Sequence, residues 1–186
     1  MMGHSTGLRS VEFSPDDTMA CTVSKNAVKV WNVARRKCVH SVSHSIDGRT
    51  FYGLCATYLP GNSHIIVGTR EGHLLLLDVA AGDYALANEK AHDQAVWSLD
   101  LRRSTDFHQA ISLVSGSADK TVKLWQIETN DDETPIVSHS RTLEVSDEVV
   151  AVRFSNSTKS SKRMIYFSLW MKYTESFLTK TICILF

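Results

Sequence analysis

Cysteine, proline and net charge are all scarce in this sequence, and each shortage excludes a class of protein. The 186 residues include three prolines and four cysteines, and no two cysteines form a CxxC pair. Their wide spacing inside apolar, strand-like runs predicts that Cys21, Cys38, Cys55 and Cys183 are buried free thiols in a reducing compartment. The first ten residues lack an apolar secretory core, so we expect an intracellular protein.

Balanced charge excludes a global electrostatic attraction to nucleic acid or membrane. Twenty Lys and Arg residues offset twenty Asp and Glu residues. A contact with RNA would therefore have to come from a local patch. Lys159, Lys162 and Arg163 lie among serines and could touch RNA phosphates, although a solvated loop is the commoner role for such a cluster.

The residue patterns of enzymes and metal sites are also missing. The sequence has no Gly-rich phosphate loop and no nucleophile elbow. None of its eight histidines has ligand-like spacing with a second His, Cys or carboxylate. The candidate carboxylates fall in turns or linkers, where solvation is the default: Asp16, Asp17, Glu71, Asp119, Asp131, Asp132 and Glu133. We therefore expect no catalytic residue, no metal and no cofactor.

What the sequence does contain is a repeat. One pattern occurs three times, as NAVKVWN (26–32), GHLLLLD (72–78) and KTVKLWQ (120–126). It consists of a turn residue, four or five strand formers, then Trp or Leu and a polar residue. A second run precedes each copy: LRSVEF (8–13), YGLCATY (52–58) and VWSLDL (96–101). The spacing of Trp31, Leu77 and Trp125 is close to the ~40–45 residues of a four-stranded propeller blade. A fourth copy begins at VVAVRFSNS (149–157) and then loses the pattern.

Apolar and polar residues alternate with period two within each copy, which predicts strands and no amphipathic helix. The turns SPDD, PGNS and SADK separate them. The predicted strands are 8–13, 19–24, 27–32 and 37–42 in repeat one; 51–58, 64–69, 73–78 and 84–90 in repeat two; and 96–102, 110–116, 121–127 and 136–143 in repeat three.

These motifs resemble the WD-repeat family: GH (Gly3, His4) or AH (Ala91, His92) before the first strand, the SADK turn, and a Trp that closes the third strand. The resemblance implies an all-β fold, a partial β-propeller with about three four-stranded antiparallel blades plus the start of a fourth. The partial propeller would occupy 1–157, with repeats at about 3–43, 48–90 and 91–143 and an incomplete copy at 144–157.

In this family His, Ser or Thr, Asp and Trp form a hydrogen-bonded tetrad within a blade. Repeat three matches it fully, so the resemblance implies a structural tetrad of His92, Ser115, Asp119 and Trp125. Its Trp125 N–H would donate to Ser115, and Asp119 would anchor the turn.

The other two repeats depart from this pattern. Repeat one has a partial tetrad, His4 and Trp31, with Cys21 expected at the Ser position and Lys25 at the Asp position. Repeat two is expected to have Val67, Glu71 and Leu77 at these places and no His before its first strand. We expect these two blades to depend on packing alone.

The tail, 158–186, fits no repeat. Lys172, Glu175 and Lys180 interrupt its apolar residues, which argues against a membrane-spanning helix. We expect a non-family segment that arose from read-through or a frame change. The chain would then be a fragment of a larger propeller protein, with open blade edges.

Several segments, among them SKNAVKVW (24–31) and the strand LLLLD (74–78), resemble the tandem-propeller WD-repeat proteins of the small-subunit processome. The resemblance implies a non-enzymatic, nucleolar scaffold in rRNA processing and ribosome biogenesis. Its partners would be other protein subunits of a large complex, with snoRNA or pre-rRNA contacted indirectly or through local patches, and neither a membrane nor a small-molecule substrate. An alternative is a peptide-binding substrate receptor of a ubiquitin ligase or another signalling scaffold, for which Arg9, Tyr52 and Trp97 are the possible partner-facing residues.

Overall fold

Antiparallel strands make up the architecture of the chain. The computed structural model describes residues 3–88, 90–102, 111–130, 134–155, 164–173 and 176–185, and these residues contain strands and turns but no helix. The chain divides into two compact units, Met1–Val96 and Trp97–Phe186. Most strands belong to three four-stranded sheets and one three-stranded sheet.

The first unit holds two four-stranded sheets. Sheet 1 has the order β1-β2-β3-β4, with strands Leu8–Phe13, Met19–Ser24, Ala27–Asn32 and Lys37–Ser43. A short hairpin follows, β5 (Ser45–Ile46) and β6 (Arg49–Thr50). Sheet 2 has the order β10-β9-β8-β7, with β7 to β10 at Gly53–Tyr58, His64–Thr69, Leu74–Asp78 and Asp83–Asn88.

The second unit contains most of sheet 3 and all of sheet 4. Sheet 3 has the order β11-β12-β13-β14, with strands Val96–Arg102, Ile111–Ser117, Thr121–Thr129 and Pro135–Glu144. Sheet 4 has the order β15-β16-β17, with strands Glu148–Phe154, Met164–Tyr173 and Ser176–Leu185. Consecutive strands are neighbours in all four sheets, as expected where tight turns connect antiparallel strands.

The all-β prediction of a partial propeller is confirmed, and each of the twelve strands predicted in the three repeats has a counterpart. Two features of the fold were not predicted. The β5–β6 hairpin was not expected, and residues 164–173 and 176–185 of the tail form β16 and β17 on the fourth sheet. Ile165, Phe167 and Leu169 of β16 are buried, because alternate residues of a strand share one face. The basic residues Lys159, Lys162 and Arg163 lie outside the described residues.

Each unit has its own apolar core, formed where the first strand of one sheet packs against the sheet before it. In the first unit β7 contacts β1 and β2, and in the second unit β15 contacts β12 and β13. Two clusters of buried side chains result. The first comprises Cys21, Val23, Val28, Val30, Phe51, Ala56, Tyr58, Ile65, Val67, Leu75, Leu77 and Tyr84. The second comprises Val114, Val122, Val149, Val152, Ile165, Phe167 and Leu169.

The cysteine prediction is correct for only two of the four residues. All four are free thiols, and Cys21 and Cys55 are buried, but Cys38 and Cys183 are exposed. Cys38 lies on β4 and Cys183 on β17, the last strands of their sheets. An apolar run on such a strand leaves some of its residues facing solvent, which the sequence pattern alone does not reveal.

Sheets 3 and 4 approach each other so closely that one position on β12 excludes a side chain. A Cβ added at Gly116 would lie 2.6 Å from Cγ1 of Val149 and 2.7 Å from Cγ1 of Val152. Both valines are buried in the second core and have no free space to move into. Glycine at this position therefore sets the distance between the two sheets.

We predict that Gly116→Ala lowers the free energy of unfolding by about 1–3 kcal/mol, because the added methyl group overpacks a filled core. Urea denaturation checks this as a lower midpoint at an unchanged slope. Gly7→Ala is the matched control, since no heavy atom lies within 4 Å of a Cβ built at Gly7. Equal midpoints for the two variants would contradict the prediction.

Candidate functional site

Sheet 3 contains the hydrogen bond expected of its tryptophan. Trp125 on β13 is 2% exposed, and its Nε1–H donates to Oγ of the fully buried Ser115 on β12 at 2.8 Å. The strand register produces this contact, because Leu113 pairs with Trp125 and Ser115 lies two residues further along β12, on the same face. The ring also packs against that of His139 in a T-shaped arrangement, with centroids 5.3 Å apart.

Asp119 holds the turn between β12 and β13. Its Oδ1 accepts hydrogen bonds from the backbone N–H of Thr121 at 3.0 Å and from the Thr121 hydroxyl at 2.6 Å, and its own N–H donates to Ser117 Oγ at 3.1 Å. These bonds support the left-handed backbone of Lys120, which has φ of 65°. His92 is 1% exposed, and its assignment to the tetrad stays a prediction.

Sheet 1 has a related hydrogen-bond network, but the residue predicted at its Ser position was wrong by one. Trp31 Nε1–H donates to Thr22 Oγ1 at 2.8 Å, and His4 Nε2 lies 2.7 Å from the same hydroxyl. His4 Nδ1 lies 2.8 Å from Ser24 Oγ. Thr22, and not Cys21, therefore occupies the Ser position, and the prediction that this sheet depends on packing alone was wrong.

A shorter turn explains the error. Four residues separate the last pair of β2 and β3, Val23 with Val28, whereas five separate the equivalent pair of β12 and β13, Gly116 with Val122. Because this turn is one residue shorter, the spacing found in sheet 3, counted back from Trp31, gives Cys21. This residue faces the apolar core instead. A one-residue offset in a strand always exchanges the two faces.

Sheet 2 has apolar residues in place of both hydrogen-bonding partners. Val67 and Leu77 occupy the positions of Ser115 and Trp125, and both are fully buried. The expected Val67 and Leu77 are thus where the repeat places them, whereas the assignment of Glu71 to the Asp position stays a prediction. Removing donor and acceptor together leaves no unsatisfied polar group, so this exchange is energetically mild.

Repeat two was predicted to have no histidine before its first strand, but His44 takes that place. Its backbone N–H donates to Asn26 O at 3.0 Å, just as His92 N–H donates to Gly72 O at 2.9 Å. His4 and His92 each precede the next strand by four residues, but the β5–β6 hairpin separates His44 from β7. This insertion hides the motif from a search for a histidine directly before a strand.

The hydrogen bonds of His44 fix its tautomer. Its ring is 1% exposed, with Nε2 3.0 Å from Ser24 O and Nδ1 3.0 Å from Tyr84 Oη. A carbonyl oxygen can only accept, so Nε2 carries the hydrogen and the neutral Nδ1 accepts from the Tyr84 hydroxyl. Burial lowers the pKa of His44 below its usual 6.5, against a smaller opposing effect of the hydrogen bond to Ser24.

Two of the three possible partner-facing residues lie together. Arg9 Nη2 donates to Tyr52 Oη at 2.7 Å, and the Arg9 guanidinium lies over the Tyr52 ring, 5.6 Å from its centroid. Lys25 Nζ and the Arg70 guanidinium lie over the same ring, at 5.5 and 5.8 Å. We call Arg9, Lys25, Tyr52 and Arg70 the Tyr52 cluster. Trp97, which is 40% exposed, belongs to the second unit, and its role stays a prediction.

Neither a metal centre nor a membrane span is found in the described part of the chain. No group of three or more His, Cys, Asp or Glu side chains there is placed to hold a metal ion. The same residues include no helix with the length and hydropathy needed to cross a membrane.

Comparison with protein families supports the repeat assignment. The family described as "WD domain, G-beta repeat" matches residues 1–32 and 85–126 of the chain. The unmatched segment between them includes β7 to β9, where Val67 and Leu77 replace the hydrogen-bonding pair.

Three curated relatives cover most of the chain. U3 small nucleolar RNA-associated protein 12 of Saccharomyces cerevisiae is 36% identical over an alignment of 168 positions that covers 83% of the chain and 16% of that protein. WD repeat-containing protein 3 of Homo sapiens is 32% identical, and the match covers 84% of the chain and 16% of that protein. Ribosome biogenesis protein YTM1 of Phaeosphaeria nodorum is 35% identical, and the match covers 67% of the chain and 26% of that protein. The chain thus spans about a sixth of the length of the first two.

Solved structures share the fold. U3-55K superposes with a TM-score of 0.68 at 22% identity, over 96% of this chain and 53% of that one. The computationally designed Ika4 protein superposes with a TM-score of 0.61 at 18% identity, over 98% of this chain and 94% of that one. At these identities the likeness is evidence of the fold alone.

We predict that Ser115→Ala lowers the free energy of unfolding by about 1–3 kcal/mol, because it leaves the buried Trp125 N–H without its Ser115 acceptor. In a Trp125→Phe background the same change should cost less, since Phe has no N–H to satisfy. A double-mutant cycle measured by urea denaturation gives the coupling. Ser112→Ala, at a half-buried position on the same strand, should stay within about 0.5 kcal/mol of the parent. Equal costs of Ser115→Ala in both backgrounds would rule out this coupling.

We predict that the free energy of unfolding decreases as the pH falls from 7.5 to 5.5, because the lowered pKa of His44 means that the unfolded chain binds protons first. The loss begins as the pH approaches the unfolded-chain pKa of about 6.5, and well above that pH the histidine is neutral in both states and the effect disappears. His44→Gln should make this slope shallower, because glutamine does not take up a proton in this pH range. An unchanged slope in His44→Gln would count against the assignment.

Proposed function

Because the chain belongs to the WD-repeat family, we propose that it is a non-enzymatic scaffold module in the assembly that processes small-subunit rRNA. It acts by binding other protein subunits of a large complex, without catalytic turnover. This work takes place in the nucleus, at the nucleolus. The chain reaches snoRNA or pre-rRNA through its protein partners or through local patches.

The observation that carries this proposal is the similarity to U3 small nucleolar RNA-associated protein 12 over 83% of the chain. The name of that relative associates it with the U3 small nucleolar RNA, and the name of YTM1 associates that protein with ribosome biogenesis. Since the chain spans only 16% of the first relative, the activity and partners of the whole relative come to this chain as proposals.

The side chains of the described residues suit a binding role. The hydroxyl and indole groups of sheets 1 and 3 are engaged in holding strands together, at Thr22 with Trp31 and at Ser115 with Trp125. Binding capacity therefore falls to exposed positions on strands and turns. The balanced charge of the chain favours protein contacts over a direct and extended RNA interface.

The test is affinity purification of the tagged full chain from nuclear extract, with the designed Ika4 protein as a bait of the same fold. We expect processome proteins and U3 snoRNA to be enriched over the Ika4 bait. The protein subunits should remain bound after RNase treatment, because the proposed contacts are between proteins.

Two outcomes would overturn the proposal. One is recovery of ubiquitin-ligase subunits in place of processome proteins, which would favour the peptide-binding receptor. The other is a protein set indistinguishable from that of the Ika4 bait. Loss of all subunits on RNase treatment would show instead that RNA mediates the association.

A further inference from the structure

At three points of the fold, one valine and one glycine meet where a strand packs against the second strand of the preceding sheet. In the second unit, a Cβ added at Gly116 of β12 would lie 2.6 Å from Cγ1 of Val149 on β15. In the first unit, a Cβ added at Gly68 of β8 would lie 2.8 Å from Cγ1 of Val96, the first residue of β11. In both cases the glycine is on the second strand of its sheet and the valine is on the strand that packs against it.

The contact between sheets 1 and 2 has the same two residue types in the opposite order. Here the valine is on the second strand, Val23 of β2, and the glycine is on the packing strand, Gly53 of β7. A Cβ added at Gly53 would lie 2.8 Å from Cγ1 of Val23. Either order fills the gap with one branched side chain, whereas a valine on both sides would not fit. We call the three contacts, Val23 with Gly53, Gly68 with Val96 and Gly116 with Val149, the valine–glycine junctions.

The strand registers show that the valine–glycine junctions lie at matching positions. Val23, Gly68 and Gly116 each belong to the last residue pair between the second and third strands of their sheets. Gly53 and Val149 each precede a register shift in the first strand of their sheets. The opposite order at Val23 and Gly53 is therefore an exchange of residue types between equivalent positions.

Space, and not backbone conformation, requires glycine at the junctions. None of their three glycines, all of which the structure describes, has a positive φ. At Gly53 the ring of His44 is a further obstacle, because its Cε1 would lie 3.0 Å from an added Cβ and its Nε2 closer still. Hydrogen bonds to Ser24 and Tyr84 hold this ring in place. The glycine of this junction must therefore be on β7, and the valine on β2 fills the space that remains.

The order of the two residue types gives each sheet face a preference for one kind of neighbour. The face of sheet 1 that contains Val23 has no room for the valine of β11 or β15. Conversely, a face with glycine at this position would leave the volume of a valine side chain empty if it met Gly53. Because the chain repeats one sheet design, β7, β11 and β15 would otherwise compete for the same faces during folding.

We propose that the valine–glycine junctions determine which sheets pack together, and that Val23 and Gly53 select β7 as the neighbour of sheet 1 over β11 and β15. Gly116 and Val149 are the corresponding determinants between sheets 3 and 4. This inference concerns the assembly of the chain and does not depend on a role in rRNA processing.

The first test rebuilds the junction of sheets 1 and 2 between sheets 3 and 4, in the full chain. On β7, Gly53 and Ala56 occupy the positions that Val149 and Val152 occupy on β15. The triple variant Gly116→Val, Val149→Gly, Val152→Ala therefore copies the reversed order. Urea denaturation of this variant is compared with that of its two parts, Gly116→Val alone and Val149→Gly with Val152→Ala.

We expect each part to raise the unfolding equilibrium constant about tenfold or more, the first by overpacking and the second by leaving a cavity. The triple variant should stay within about tenfold of the parent, because the new valine enters the space that the other two changes vacate. A triple variant whose constant rises by the product of the two parts, or which does not fold, would overturn the proposal. If Gly116→Val alone does not fold, recovery of strand content in the triple variant, measured by circular dichroism, gives the same support.

A matched pair of variants tests the selection of β7. Val23→Gly removes the valine that excludes β11 and β15, whereas Val30→Gly removes the same atoms from another fully buried residue of the first core. Both variants lose the same volume of side chain, but only Val23→Gly should allow the wrong strands to dock. After refolding from urea, size-exclusion chromatography should recover less monomer of Val23→Gly than of Val30→Gly, because strands that dock on another copy link chains together. Equal recovery of the two variants would contradict the selection of β7.

Discussion

A buried indole N–H must have an acceptor, and this constraint fixes how the strands of two sheets lie against each other. In sheet 3 the acceptor is the Ser115 hydroxyl, and in sheet 1 it is the Thr22 hydroxyl. Both bonds cross between the second and third strands, so a slip of one residue would remove the acceptor and turn the strand face over. The tryptophan therefore specifies the register as well as filling space.

Sheet 2 shows that the same register can be kept without the polar pair. Leu77 and Val67 replace the indole and the hydroxyl, and the neighbouring strands β7 to β9 are buried almost throughout. With apolar residues on both sides there is no donor to satisfy, and dense packing supplies the specificity. One chain thus stabilises equivalent sheets in two ways, by a directed bond and by shape.

The strands were predictable from the sequence because period-two alternation is a local signal, and each predicted strand lies within about two residues of the observed bounds. The site was less predictable, since its residues depend on register. The choice of Cys21 over Thr22 failed because one turn is a residue shorter than the others. Of the Tyr52 cluster, Arg9 and Tyr52 were predicted as partner-facing residues but Lys25 and Arg70 were not, because only the packing of β7 against β1 and β2 brings Tyr52 close to Arg9 and Lys25.

The β5–β6 hairpin lies in the connection from sheet 1 to sheet 2, and its two ends are held together because the Phe51 N–H donates to the His44 carbonyl at 2.8 Å. Ile46 of this hairpin packs against the first core, so added length has least effect on the neighbouring strands at the exposed turn of Asp47 and Gly48, since the entropy of loop closure rises slowly with length. Such a position tolerates the insertion of foreign segments. It offers a place to graft a reporter or an epitope, and a point at which related chains can diverge without altering their sheets.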